Sequence, residues 1–390
     1  MRTFLRWLGT VLLFLVVAVC LAPSIVSPFL DRTYYEGAPS GHYDGERFFN
    51  PGATAEASHG GPGRFLSRMI GGGDERSAWP ALVPVTPTVP PRRVAGDEMV
   101  VTWIGHASVL VQAGGLNILT DPVWSETVSP FRPIGPERVR APGVRFEDLP
   151  KIDLVLISHN HYDHLDLPTL KRLWQRDKPA IVTSLGNDTI LKNAGIEAQA
   201  FDWDDGAAYG HYCDEPAAGC GGEPSGNWQV EVIRNHHWSS RWGTDRNRAL
   251  WSAFVVQTDA GRIFFAGDTG WGDGRWVDEA AAKGPYRLAL IPIGAYEPRD
   301  FMKTNHINPD EAVAIFEKLK PAAALGIHWG TFQLTFEGID DPPKRLAEVR
   351  AARGITPERF RATEVGQSWH VPAASTLSPA GRGQGEGVRR

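Results

Sequence analysis

Cysteine is scarce in this chain: three in 390 residues, and only Cys213 and Cys220 lie outside the apolar amino-terminal run. They stand in the loop-like stretch Tyr212–Gly222 without the histidine partners of a small zinc knuckle. In an oxidising compartment they can close a short disulfide loop, and the sequence leaves both states open. Positive charge is not in excess either. The formal net charge is -5, so no basic character argues for a nucleic-acid partner. No repeat appears at the short periods of solenoids, although two similar halves would escape such an inspection. The remaining composition, 42% hydrophobic and 22% charged, is that of a globular protein long enough to bury a sizeable core in one large or two small domains. Tryptophan is frequent at 14 residues, which suits core packing and also the aromatic walls of a cleft.

The two ends differ from the middle. Arg2 and Arg6 precede an apolar run from Trp7 to Ala22, the order of a basic flank and a short apolar region in an export signal. Extension through Ile25, Val26, Phe29 and Leu30 makes the run long enough for an uncleaved anchor. Residues 1–30 therefore read as signal peptide or membrane anchor, with an exported body that is periplasmic or faces the periplasm. Bulky Val19 before Cys20 disfavours a lipoprotein. Residues 31–95, rich in Gly, Pro and polar side chains, read as an extended arm packed on the domain. Residues 96–372 read as the main folded domain, and 373–390, rich in Gly, Arg and Ser, as a disordered tail.

Within 96–372, strand-like and helix-like segments alternate. Met99–Ile104, Ser108–Gln112 and Leu116–Thr120 have the β-branched, alternating character of an antiparallel meander. Leu154–Ile157 is wholly apolar, as a buried strand requires. Leu167–Trp174 has helical spacing, with Asp166 at the cap and Pro168 in the first turn. Ala180–Thr183, Trp228–Ile233, Ala253–Thr258, Arg262–Ala266, Leu288–Ile293 and Ala323–Ile327 predict further strands. Asn308-Pro309 opens a helix through Leu319, and Pro343–Arg353 supplies another. The pattern predicts an α/β sandwich of sheets flanked by helices.

The chemistry concentrates in His159-Asn160-His161-Tyr162-Asp163-His164, four candidate ligands within six residues directly after the apolar strand. His159 and His161, two apart, share one side of an extended segment and can clamp one ion. Asp163 and His164 follow as the chain turns and can face a second. Zinc favours imidazole nitrogen and carboxylate oxygen at roughly 2.0–2.2 Å. A short motif cannot complete two coordination spheres, so the remaining ligands must come from other strand ends. Candidates are His236-His237, Asp268 in Phe264–Gly270, and His328 in Gly326–Gly330.

This set resembles the metallo-β-lactamase superfamily, whose HxHxDH signature is matched by His159, His161, Asp163 and His164. The phrases Gly105-His106-Ala107, Thr120-Asp121-Pro122, Leu156–Asp166, Phe264–Gly270, Ile291–Arg299 and Ile327–Phe332 are similar to its branch of N-acylphosphatidylethanolamine-hydrolysing phospholipases D. The likeness runs from about Val101 to Trp369. It implies a four-layer αββα sandwich and two zinc ions per chain, one held by His159, His161 and His237, the other by Asp163, His164 and His328, with Asp268 shared. The family places a His directly before Trp at the third position, which favours His237 over His236. It implies a phospholipase D-type phosphodiesterase that attacks its substrate with an activated water held near Asp163 and Asp268. The substrate would be a phospholipid or another small ester or phosphodiester.

Other residues admit two readings. His306 offers either a pocket acid or a hydrogen-bonding loop residue. His106 and Asp121 are placed to orient ligands. Trp124, Tyr296 and Trp329 suit either a cleft wall or the core. Three alternatives remain: a lactonase or other hydrolase of the same fold acting on a small soluble substrate, an oxygen-reducing di-iron protein, and a non-catalytic binding module. His161 stands where the di-iron group favours Glu, and the intact ligand set argues against a binding module. The oligomeric state is not legible.

Overall fold

A computed structural model of the chain describes residues 31–52, 76–212 and 224–373, together with Trp7, residues 9–15 and Val17. The Cys213–Cys220 pairing, most of the amino-terminal segment and nearly all of the tail lie outside the described residues. Among the described residues, no helix is long and apolar enough to cross a membrane.

Fourteen strands form two seven-stranded sheets among the described residues. The first begins as the expected meander: β1 (Met99–Gly105), β2 (Ser108–Ala113) and β3 (Leu116–Thr120) pair antiparallel. It continues in parallel through β4 (Leu154–Ile157), β5 (Ala180–Ser184) and β6 (Gln199–Phe201). The second sheet repeats this plan. β7 (Asp205–Tyr212), β8 (Pro224–Ile233), β9 (Ala253–Thr258) and β10 (Gly261–Phe265) run antiparallel. β11 (Leu288–Pro292), β12 (Ala323–Ile327) and β13 (Phe360–Arg361) then add in parallel. β14 (Ser368–His370) returns to the first sheet and pairs antiparallel with β1 through Val100–His370 and Thr102–Ser368. The two halves left open by the sequence are therefore two sheets of like topology.

Period-two alternation explains how both faces of a sheet are covered. In β4, Leu154 and Leu156 join the large core that also contains Val230, Phe254 and Phe265 of the second sheet, whereas Val155 and Ile157 point to a second core. There they meet Leu170 and Leu173 of α1 (Leu167–Asp177) and Ile190 and Leu191 of α2 (Asn187–Asn193). Each such side chain, fully buried, contributes about 1.5–3 kcal/mol. The second half adds α3 (Arg275–Ala282), the short α4 (Arg299–Met302), α5 (Pro309–Leu319) and α6 (Asp341–Ala352), with α5 packed on β11 and flanked by α3 and α6. The result is the layered sandwich that the alternating segments predict.

Helix ends follow their local chemistry. Asn308 caps α5 through a reciprocal box: its side chain accepts from Glu311 N, and the Glu311 carboxylate accepts from Asn308 N. Asp166 stands at the cap position of α1, but its side chain accepts no hydrogen bond from a helix N–H. Its carboxylate instead takes Ser125, Arg132 and the Thr169 hydroxyl. The arm is tied to the domain by side chains. Tyr34 donates to Asp245 at 2.8 Å, Asp31 pairs with Arg47 and Arg248, and Trp79 donates to the Glu337 carbonyl. Tyr43 and Phe48 are buried against Leu250 and Trp251.

Candidate metal centre

Every candidate ligand hangs just beyond the carboxyl end of a strand: His106 after β1, Asp121 after β3, His159–His164 after β4, His237 after β8, Asp268 after β10 and His328 after β12. Both sheets thereby deliver residues to one edge. The turns are tight. His106 (φ 55), Asp121 (φ 31) and His328 (φ 63) all adopt left-handed backbone, which L-residues occupy at a cost and which clusters at functional sites. Gly267 (φ 60), just before Asp268, leaves no room for a side chain: a Cβ there would lie 2.7 Å from Ser158 Cβ and 2.9 Å from the Ser252 carbonyl oxygen.

Two triads result. One atom from each of His159, His161 and His237 lies within 4.8 Å of the others, and so it does for Asp163, His164 and His328, which His106 joins as a fourth member. Asp268 sits between them. Its Oδ2 is 3.2 Å from His164 Nε2, 3.1 Å from His328 Nε2 and 3.9 Å from His237 Nε2. His306 joins the same edge, its Nδ1 at 3.9 Å from Asp268 Oδ2. His236 belongs to neither triad and packs its ring over Gly272.

Hydrogen bonds on the outer side of the rings settle which nitrogen faces inward. His237 Nδ1 donates to the Asn305 carbonyl at 2.9 Å, so Nε2 carries the lone pair. His164 Nδ1 lies 2.6 Å from the Asp121 carboxylate, which leaves its Nε2 for the site. Ser158 donates to the same carboxylate at 2.6 Å and stands 2.9 Å from His159 Nδ1. His159 Nε2 then points at His161 Nδ1, 2.8 Å away. Asp121 thus orients two ligands at once. His106 Nε2 binds Asp163 at 2.8 Å, while its backbone carbonyl accepts from His328 N–H at 3.0 Å. Asn305 and Ser158 are the contributors that sequence reasoning missed; neither carries a signal beyond adjacency to a histidine.

The donor set fits divalent cations. His161 Nε2, His164 Nε2, His237 Nε2, His328 Nε2 and Asp268 Oδ1 are buried without a hydrogen-bond partner, an arrangement that is costly unless a cation receives it. Burial pushes His161 down to about 3 and holds His159 and His237 well below the usual imidazole range, so these rings present lone pairs at neutral pH. Burial opposes charge on Asp268 and Asp163 too. In each, the surrounding histidines outweigh it and hold the carboxyl well below its usual range. His164 is correspondingly pushed up by Asp268, Asp163 and Asp121 against its burial.

The aromatic candidates separate. Trp124 donates to the Val144 carbonyl and packs on Phe146, and Trp329 stacks on Trp103, so both are core residues. Tyr296 lines a polar groove with Asn308 and Arg345, away from the histidines. Trp238 instead packs against His161 at 4.2 Å.

Residues 116–329 match the family model of the beta-lactamase superfamily domain, more than half of the chain and the whole stretch from β3 through the His328 turn. The chain belongs to the metallo-β-lactamase superfamily. It is 36% identical over 294 residues to an N-acyl-phosphatidylethanolamine-hydrolyzing phospholipase D of Caenorhabditis elegans, covering 73% of this chain and 81% of that one. A mitochondrial enzyme of the same description from Saccharomyces cerevisiae is 31% identical, over 68% of this chain and 55% of that protein. Among solved structures, the isothiocyanate hydrolase from Delia radicum gut bacteria shares the fold at a TM-score of 0.51, with 18% identity, over 70% of this chain and 98% of that one. Fold, relatives and buried donors together make this superfamily member a metal-binding hydrolase.

Proposed function

We propose that the chain is a two-zinc phosphodiesterase of phospholipase D type, which releases the amide-bearing alcohol from N-acylphosphatidylethanolamine-like lipids and leaves phosphatidic acid. The observation that carries this reading is the unbroken ligand set, His159, His161 and His237 beside Asp163, His164 and His328 with Asp268 between them, in a chain so similar to the C. elegans phospholipase. Zinc, when bound, supplies activation of a water and stabilises negative charge on the phosphoryl oxygens. The chain's own residues do the rest. Three of the five ligand histidines, His159, His164 and His237, are held by the outer partners Ser158, Asp121 and Asn305, which limits reorganisation on loading. Asp163 and Asp268 hold ionised carboxylates in a buried place, which offsets the cation charge. His306, pushed down to about 4 by burial, is neutral at pH 7. Its Nδ1 accepts a proton from the attacking water and returns it to the departing alkoxide oxygen.

The basic flank and apolar run at the amino end support an exported body, tethered to or released from the membrane. A tether would keep the enzyme beside a lipid substrate.

Metal analysis and a substrate panel test the proposal. Purified protein should carry about two zincs per chain, and it should hydrolyse N-acylated phosphatidylethanolamine and bis-p-nitrophenyl phosphate. Turnover of lactones without turnover of phospholipids would sink the phospholipase assignment. Iron with oxygen reduction would sink the zinc assignment.

A further inference from the structure

A braced loop beside the metal motif exposes two large apolar side chains. In Ser129–Gly135, Phe131 is 67% and Ile134 75% exposed. The loop is not loose. Ile134 N donates to the Phe131 carbonyl at 2.8 Å across its tip, and Val128 N donates to Pro136 at its base. Arg132 fixes it inward by pairing with the fully buried Asp166 at 2.7 Å, two residues after His164. A second loop flanks the same motif: Trp238 packs on His161, and Arg241 donates to the carbonyls of Asn160 and Leu165. Phe131 meets its Trp242 edge-on at 6.4 Å.

Cations surround this apolar tip. Exposed Arg32 stands over Trp242 at 5.6 Å and exposed Arg246 over Trp238 at 4.2 Å, while the charge of Arg132 is taken up by Asp166. The acidic residues of the loop, Glu126 and Glu137, lie at its base. Arg32 is also where the arm begins, ten residues beyond the end of the apolar run Trp7–Ala22. Ten residues reach at most about 35 Å, so the chain that follows the apolar run enters the domain beside the Phe131–Trp242 patch at Arg32. Apolar side chains at a tip, rimmed by guanidiniums, match the chemistry of an anionic bilayer surface: an acyl boundary beneath phosphate headgroups.

We propose that Phe131 and Ile134 insert into the interface of a phospholipid bilayer, with Arg32 and Arg246 on anionic headgroups, and so dock the metal-motif face against the lipid. The purpose of this surface rests on the phospholipid reading above; its test does not. Full-length protein carrying p-benzoylphenylalanine at position 131, at 134, or at the equally exposed control Leu82 is reconstituted with vesicles of phosphatidylethanolamine and phosphatidylglycerol, then irradiated. Lipid adducts are expected from 131 and 134 and none above background from 82. Arg32→Glu is expected to reduce the adducts on these vesicles and to change nothing on phosphatidylcholine alone. Adducts at 131 and 134 no stronger than at 82, or adducts to a second copy of the chain in place of lipid, overturn the docking surface. Adducts without phospholipid turnover keep the surface and defeat the proposed reaction; turnover without adducts does the reverse.

Discussion

Asp268 is the residue on which both triads close, within 3.2 Å of His164 and His328 and 3.9 Å of His237. Asp268→Asn keeps the shape and removes the charge. Such a variant should lose measurable turnover and hold less zinc after dialysis, and normal metal content with full activity would show that Asp268 is not shared. His106 makes a subtler prediction, because it positions ligands from both sheets, Asp163 by its ring and His328 by its carbonyl. Removing a partner that orients a ligand typically costs about 10–100-fold in metal affinity. His106→Ala should therefore surrender zinc to a chelator at lower concentration, while Asn, which can still donate to Asp163, should recover part of the loss. A merely structural role for His106 would lower the melting temperature and leave chelator competition unmoved. The first-motif candidates and Asp268, which the fold gathers at one edge, stand out in the sequence because four donors in six residues, or an acid after a strand, are strong local patterns. The choice between His236 and His237 is not: adjacent residues diverge only when the turn is built, and here one ring meets Asn305 while the other meets Gly272.

At the scale of elements, legibility tracked burial and length. The wholly apolar Leu154–Ile157, the Ala253–Thr258 and Ala323–Ile327 strands and the Asn308–Leu319 helix stand where their patterns place them. The strands Gln199–Phe201, Asp205–Tyr212 and Phe360–Arg361 carry no such signal, because short or Gly-rich edge strands are defined by the partner they pair with. The helices Asn187–Asn193 and Arg275–Ala282 are too brief for periodicity to show. The capping box of α5 is where a local rule makes a quantitative prediction. Asn308→Ala should destabilise the protein by about 1 kcal/mol, read as a shift in the denaturant midpoint with an unchanged slope; Asn308→Asp should lose little. An unchanged midpoint in Asn308→Ala would mean that packing against α6 and the sheet alone holds the helix end.

For the whole molecule, the imidazole cluster links stability to pH. In metal-free protein, burial pushes His106 and His161 down to about 3 and His306 to about 4. Each binds its proton less readily folded than unfolded, so its contribution is complete above the ordinary imidazole value of about 6.5 and is lost as pH falls toward the folded value. His328, pushed up to about 9 by Asp268 and Asp163 despite its burial, acts in the opposite sense, and its contribution fades as pH rises from about 6.5 to about 9. The lowered groups outnumber the raised ones. The melting temperature of chelated protein should fall as pH drops from about 6.5 to about 4. Added zinc should raise the melting temperature at neutral pH and lose this effect toward acid, as protons displace it. A flat calorimetric profile for the chelated protein would show that the cluster is hydrated and relaxed when empty.

The return of β14 to β1 has a consequence for how the protein comes off the ribosome. All seven proposed ligands precede residue 329, yet β1, already paired with β2 on one side, waits for Ser368–His370 before its other edge is covered. A nascent chain halted after Ile355 thus owns the complete chemistry and an unfinished border: the Val100–Thr102 rung is bare, a row of amides open to any passing strand. Such a chain should be recovered from cells in aggregates, whereas one ending after Ala373 should be soluble. Soluble, zinc-loaded protein from the shorter chain would show that β1 needs no escort. Synthesis, on this view, makes the chain adhesive until β14 arrives.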